Sequence, residues 1–252
     1  MRVSEQQMLG VRIGTRPLVD LVGDARASIA ERTRSFIFAC ANPHSLVVAQ
    51  ADEEFRRALN GANVVVADGV GCLWGARLTG ATIGPRITGT DFFLAMMGAL
   101  NQSGGRAFFF GSRPEVLAKL KERCAREFPR VEVGALSPPF GVWPDERNRE
   151  MIGSIRSFRP DVLWVGMTAP KQEKWVAANA GDLRVPVVGS IGAVFDYYAG
   201  FTKRAPRWIC DLGLEWLYRL PREPRRLWRR TFVSAPLFFW SVLRERFARQ
   251  HD

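Results

Sequence analysis

Two hydrophobic rhythms run along this chain. Short apolar runs without polar alternation predict strands: FIFAC (36–40), NVVVA (63–67), RAFFFG (106–111), VEVGAL (131–136), DVLWVG (161–166) and VPVVGS (185–190). Between them lie stretches with helical spacing: LVVAQADEEFRRAL (46–59), a segment reaching Leu78, PEVLAKLKERCAREF (114–128) and PKQEKWVAANA (170–180). Strands apolar on both faces belong in a sheet covered on both sides. Their alternation with helices makes that sheet parallel. The predicted fold is therefore α/β, a Rossmann-like, mostly parallel sheet flanked by helices. A shift in composition near Thr202 sets an α/β core (1–202) apart from a basic, amphipathic helical C-terminal appendage (203–252). There is no internal repeat and no low-complexity linker.

Ligands of such sheets bind at the carboxyl ends of the strands. Five of those ends carry polar groups, four of them together with glycine: Cys40-Ala-Asn42-Pro43-His44, Asp68-Gly69-Val-Gly71, Gly111-Ser112-Arg113, Gly166-Met-Thr168 through Glu173, and Gly189 through Asp196. Glycine admits backbone N–H groups close to a ligand, and helix N-termini favour anions, so this rim suits a nucleotide or a phosphorylated ligand. Asp68 is either a general base at the rim or a helix N-cap. Arg86 is a phosphate clamp or a plain surface arginine. Asp91 reads as a cap or a structural partner. Gln172 and Glu173 open a helix, where capping competes with ligand contact; at Asp196 a ribose or base contact competes with a turn. His44 reads as a residue of a first helical turn. Dinucleotide binding is weakly supported, because a full Gly-x-Gly-x-x-Gly fails at Trp74.

Charge changes the picture mainly at one end. The 252 residues carry a net charge of +11, yet residues 203–252 alone hold 12 Lys/Arg against 5 Asp/Glu. Within that segment, RLPREPRRLWRR (219–230) has six arginines and is followed by TFVSAPLFFWSVL. Phe232, Pro236, Phe239, Trp240, Leu243 and Phe247 share one helical face. Such a stripe is too short to span a bilayer but suits its interface, where basic neighbours meet anionic lipid. The competing reading packs the stripe on the core or on a second copy of the chain, as a homo-oligomer. Pro236 predicts a kink or two shorter helices. Nucleic-acid binding through the arginines is the alternative function; no aromatic-interleaved basic stripe on the core rim supports it.

Four scattered cysteines and two histidines, His44 and His251, give no zinc-ligand spacing and point to a reducing compartment. The N-terminus lacks the apolar core of a signal peptide. The expected location is the cytoplasm, soluble or peripheral.

Six stretches taken in order resemble the WecG/TagA/CpsF glycosyltransferases: Asn42-Pro43, Ala67-Asp68-Gly-Val-Gly71, Arg86-Ile-Thr-Gly-Thr-Asp91, Pro170-Lys-Gln172-Glu173-Lys-Trp175, Gly192-Ala-Val-Phe-Asp196, and Arg204-Ala-Pro-Arg-Trp208 with Gly213-Leu-Glu215-Trp216-Leu-Tyr-Arg219-Leu. The resemblance covers roughly residues 10 to 230. It implies inverting, metal-independent transfer from a UDP-sugar to an undecaprenyl-diphosphate-linked sugar, on the inner face of the cell membrane, in surface polysaccharide synthesis. No cofactor is implied. By position, Asp68 resembles the catalytic base, and Asn42, Arg86 and Gln172 resemble residues lining its pocket. Asp196 resembles a residue near the nucleotide. Gly111 belongs to the same rim. Arg219, Arg222, Arg225 and Arg226 resemble appendage arginines that meet a diphosphate or the membrane. Cys40 stands where members often carry Thr, and a thiol is a weaker donor. Thr168 replaces a glycine before Pro-Lys-Gln-Glu and adds a Cβ at the rim. The chain also lacks the Asp-x-Asp pair by which metal-dependent glycosyltransferases commonly hold a divalent ion.

Overall fold

A computed structural model describes residues 5–202, 205, 206, 209, 217, 218, 220 and 228–248. An antiparallel hairpin, β1 (Glu5–Met8) and β2 (Val11–Gly14), opens it, followed by α1 (Leu18–Glu31). Then come β3 (Phe36–Ala41), α2 (Pro43–Ala51), α3 (Glu53–Gly61), β4 (Val64–Ala67), α4 (Val70–Thr79) and α5 (Gly89–Ser103). The second half adds β5 (Gly105–Gly111), α6 (Pro114–Glu127), β6 (Val131–Leu136), α7 (Asp145–Phe158), β7 (Val162–Gly166), α8 (Lys171–Leu183), β8 (Val187–Ser190) and α9 (Val194–Tyr198). A π-helical turn (Arg229–Ser234) leads into α10 (Ala235–Ala248).

All six predicted strands join one sheet in the order β4-β3-β8-β7-β5-β6, every pairing parallel. Every residue of β4, β7 and β8 is buried, which is why these strands read as unbroken apolar runs. On one face, Leu21 of α1, Phe92 and Phe93 of α5 and Leu120 of α6 pack on Phe38, Phe109 and Trp164. The opposite face is covered by α2, α3 and α4 over β3 and β4, and by α7 and α8 over β5, β7 and β8. The hairpin, α1, α5 and α7 add to the elements read from the pattern. The helix expected over 46–59 is two helices. Asp52 breaks it by leaving helical geometry and accepting a hydrogen bond from the Phe55 N–H at 3.0 Å, which starts α3 afresh.

Helix α10 docks on α4 and α2 with Phe238 and Val242, both fully buried. Gly75 of α4 makes room for this, since a Cβ there would meet the Phe238 ring at 2.6 Å. The stripe picked out in the sequence lies roughly 140° around the helix from that buried face. It accordingly looks outward: Phe232 is 52% exposed, Trp240 69% and Phe247 59%. Phe239, between the two faces, is partly buried against the core. Pro236 has no N–H to return to the preceding turn, and the wider π-helical turn just before it accommodates that loss. No helix among the described residues is long and apolar enough to cross a membrane.

Candidate active site

Because all six strands run the same way, their carboxyl ends share one edge of the sheet. β3 and β4 lie side by side there, and the Asp68 N–H donates to the Ala41 carbonyl at 2.8 Å. Asp68 thus sits beside Asn42. The N-cap position of α4 is Gly69, at φ +106, one residue past Asp68. Next, Gly71 lets α4 press on α2, since a Cβ there would meet Pro43 Cγ at 2.5 Å. The Gly-Val-Gly of this stretch therefore serves a turn and a close helix contact.

Asn42 caps α2. Its Oδ1 accepts from the Ser45 N–H at 3.1 Å, while Ser45 Oγ accepts from the Asn42 N–H at 2.7 Å. This fixes the Asn42 side chain at the rim. Arg86, half-buried, adjoins Ile87, whose N–H donates to the Ala67 carbonyl at 3.3 Å. That bond brings the Arg86 loop to the end of β4, next to Asp68. Asp91 completes the capping box of α5 from its third position, with Thr88 as the N-cap: it accepts from the Thr88 N–H at 2.9 Å and from Thr88 Oγ1 at 2.7 Å.

Cys40 lies among these groups. Burial pushes its thiol well above the ordinary range, and the carboxylates of Asp68, Glu173 and Asp91 push it the same way. Carboxylates from the end of β4, the first turn of α5 and the first turn of α8 therefore all act on this thiol. Burial likewise raises Cys72, with Asp68 again adding to the shift. Asp68 is thus an electrostatic neighbour of both thiols.

Gln172 is buried, and its Oε1 accepts from the Met167 N–H at 3.3 Å and the Gly192 N–H at 3.1 Å. It ties the loop after β7, which holds Thr168, to the turn after β8 that leads into α9 and Asp196. Its Nε2 donates to Glu173 Oε1 at 2.8 Å. Glu173 is only 4% exposed, and its other oxygen is buried with no hydrogen-bond partner among the described residues. Desolvation lifts its carboxyl to about 7 against the pull of the Gln172 bond. The sequence marked Glu173 at a helix opening, where capping competes with ligand contact. Its burial comes from packing between loops distant in the chain, which no local pattern signals.

The remaining rim residues serve packing or line a groove. Gly111, at φ +125, lies against Gly166, whose carbonyl oxygen a Cβ would meet at 2.5 Å. Gly166 in turn faces the Phe195 ring at 2.5 Å by the same measure. Asp196 is half-buried in α9, and its backbone carbonyl accepts from Phe201 and Thr202. Thr168 lines a groove with His44. His44 falls in the first turn of α2, and its Nδ1 lies 2.7 Å from Ser234 Oγ at the foot of α10. Arg219, Arg222, Arg225 and Arg226 lie outside the described residues. Among the described residues, no three His, Cys, Asp or Glu side chains group as a metal site.

A six-stranded parallel sheet flanked by helices, with polar loops gathered at its carboxyl edge, puts this protein in the Rossmann-like α/β class. The model of the WecG/TagA/CpsF glycosyl transferase family matches residues 6–252, and the chain belongs to that family. It is a hexosyltransferase-type glycosyltransferase. It is similar to a Bacillus spizizenii protein, 30% identical over 227 residues covering 90% of this chain and 86% of the relative. A Bacillus subtilis protein is 29% identical over 83% of this chain and 79% of its own length. A Staphylococcus aureus protein is 24% identical over 93% and 91%. All three are named N-acetylglucosaminyldiphosphoundecaprenol N-acetyl-beta-D-mannosaminyltransferase.

Proposed function

We propose that this enzyme transfers a sugar, with inversion and without a metal ion, from a UDP-sugar to an undecaprenyl-diphosphate-linked saccharide during surface polysaccharide synthesis. The carrying observation is the placement of Asp68, which lies beside the capped Asn42 and close to the Arg86 loop, at the carboxyl edge of the sheet. Asp68 takes the proton of the acceptor hydroxyl as that oxygen forms a bond to the anomeric carbon. The bond from that carbon to the UDP oxygen breaks, and UDP leaves with the electron pair. Arg86 offsets charge developing on the leaving diphosphate. Names of the relatives make N-acetylmannosamine the first donor to test and a terminal N-acetylglucosamine the first acceptor. Attachment to the inner face of the membrane is supported by the outward aromatic face of α10, with Arg244 and Arg246 beside it.

The test is a screen of UDP-sugars against a polyprenyl-diphosphate N-acetylglucosamine acceptor, with and without EDTA. Transfer from one donor, undiminished by EDTA, with the opposite anomeric configuration in the product, is the expected result. Transfer that EDTA stops removes the metal-independent mechanism, and no transfer from any UDP-sugar removes the donor class.

A further inference from the structure

A groove of about 540 Å³ opens beside the rim. Val47 and Val48 line it from α2, Val233 and Leu237 from the C-terminal segment, and Ala169 from the turn after β7. Its volume falls within the range of small-molecule sites, but its lining is mostly aliphatic and unlike a nucleotide pocket. Polar residues mark its borders. Thr168 and His44 connect it to the rim, for Thr168 follows β7 and His44 stands two residues past Asn42. Arg230 adds a cation, and Asp52 at the border is already engaged by Lys174 at 2.8 Å. In the opposite direction, Val233 and Leu237 are exposed and continue into the outward face that carries Phe232 and Trp240.

We propose that this groove is the subsite for the isoprenoid chain of the acceptor, a polyprenyl-diphosphate-linked saccharide. The proposal rests on the acceptor class argued above. Its physical basis is continuity. A sugar attacked at Asp68 is tied through a diphosphate to a hydrocarbon chain, and each CH2 of that chain left in water costs about 0.8 kcal/mol. The chain therefore needs apolar cover between the rim and the membrane-facing side of α10. The groove supplies aliphatic walls along that interval, and Arg230 places positive charge where a diphosphate passes into hydrocarbon.

Two soluble acceptors with identical saccharide and diphosphate test this on the full chain, one ending in a farnesyl group and one in a methyl ester. Both are used without detergent or vesicles. The wild-type KM should be lower for the farnesyl acceptor by roughly tenfold or more, as expected when even two CH2 groups gain cover. Val48→Asp and Leu237→Asp should bring the two KM values together. Ala51→Trp, at an exposed position on the groove's edge, should do the same by filling the groove, and so reports even where a buried charge unfolds the protein. Equal wild-type KM values, or variants that keep the full preference, overturn the subsite while leaving glycosyl transfer standing. Transfer to neither acceptor overturns the subsite together with the acceptor class beneath it.

Discussion

Gly71 and Pro43 lie so close that a Cβ on the glycine would meet the proline Cγ at 2.5 Å. The contact joins the first turns of α4 and α2. Asp68 precedes one of these helices by two residues and Asn42 precedes the other by one, so the pair is held together from below. Gly71→Ala should destabilise the fold by about 1–3 kcal/mol, the usual range for overpacking. It should also lower kcat by more than that loss explains, because the rim spreads. Gly98→Ala, in α5 with nothing within 4 Å of its Cβ, should be neutral or stabilise by up to about 1 kcal/mol. Urea unfolding of both variants beside their transfer rates checks this.

Asp68→Asn keeps the size of the side chain and removes its basicity. Transfer should fall by about 10²–10⁴-fold, the range for losing a positioned general base, while UDP affinity measured by calorimetry stays within about threefold, since well under 1 kcal/mol is at stake. Near-normal turnover would mean that another group takes the proton.

Glu173 makes stability depend on pH with a definite sign. Its folded-state value, about 7, lies above the ordinary carboxylate value. Between the two, the folded state holds a proton that the unfolded state has lost, so this contribution to stability is full at acid pH and is lost as pH rises towards 7. The slope approaches about 1.4 kcal/mol per pH unit in that window. Glu173→Gln, which still offers an oxygen to Gln172 Nε2, should flatten the stability difference between pH 5 and pH 8. A variant with the same pH dependence as wild type would place the titrating group elsewhere.

Helix α10 has two faces with separable jobs. Phe238→Ala should cost about 3–5 kcal/mol, because it empties a fully buried site beside Gly75. Trp240→Ser on the outward face should leave the melting temperature nearly unchanged and reduce flotation with anionic vesicles. Deleting the helix would report on folding instead, since Phe238 and Val242 would leave the core with it. Equal flotation of Trp240→Ser and wild type would move the membrane contact off this face.

The strands were legible because each is apolar on both faces, a requirement of parallel sheets that leaves its mark residue by residue. Local chemistry revealed one cap, since Asp91 closes its box with Thr88 through contacts three residues apart, while the caps at Asn42 and Asp52 went unread. Other features were hidden for the same reason. The sequence marked the Phe232, Trp240 and Phe247 stripe as apolar, but the core chose the quieter pair Phe238 and Val242, which fits the space over Gly75. Periodicity shows that a helix has an apolar face; only the partner surface decides which face is buried.

By itself, then, the sequence determined the α/β class, the six strands and the rim on which Asn42, Asp68 and Gln172 stand, consequences of short-range pattern and turn chemistry; Arg86 joined them only through the family resemblance. Tertiary structure decided how those residues meet. The order β4-β3-β8-β7-β5-β6 sets Asp68 next to Asn42 and brings Glu173, more than a hundred positions away, within electrostatic range of the Cys40 thiol. It also made Gln172 a tie between two loops and Glu173 a buried acid. Burial and desolvation belong to the space between elements, and that space exists only once the elements have packed.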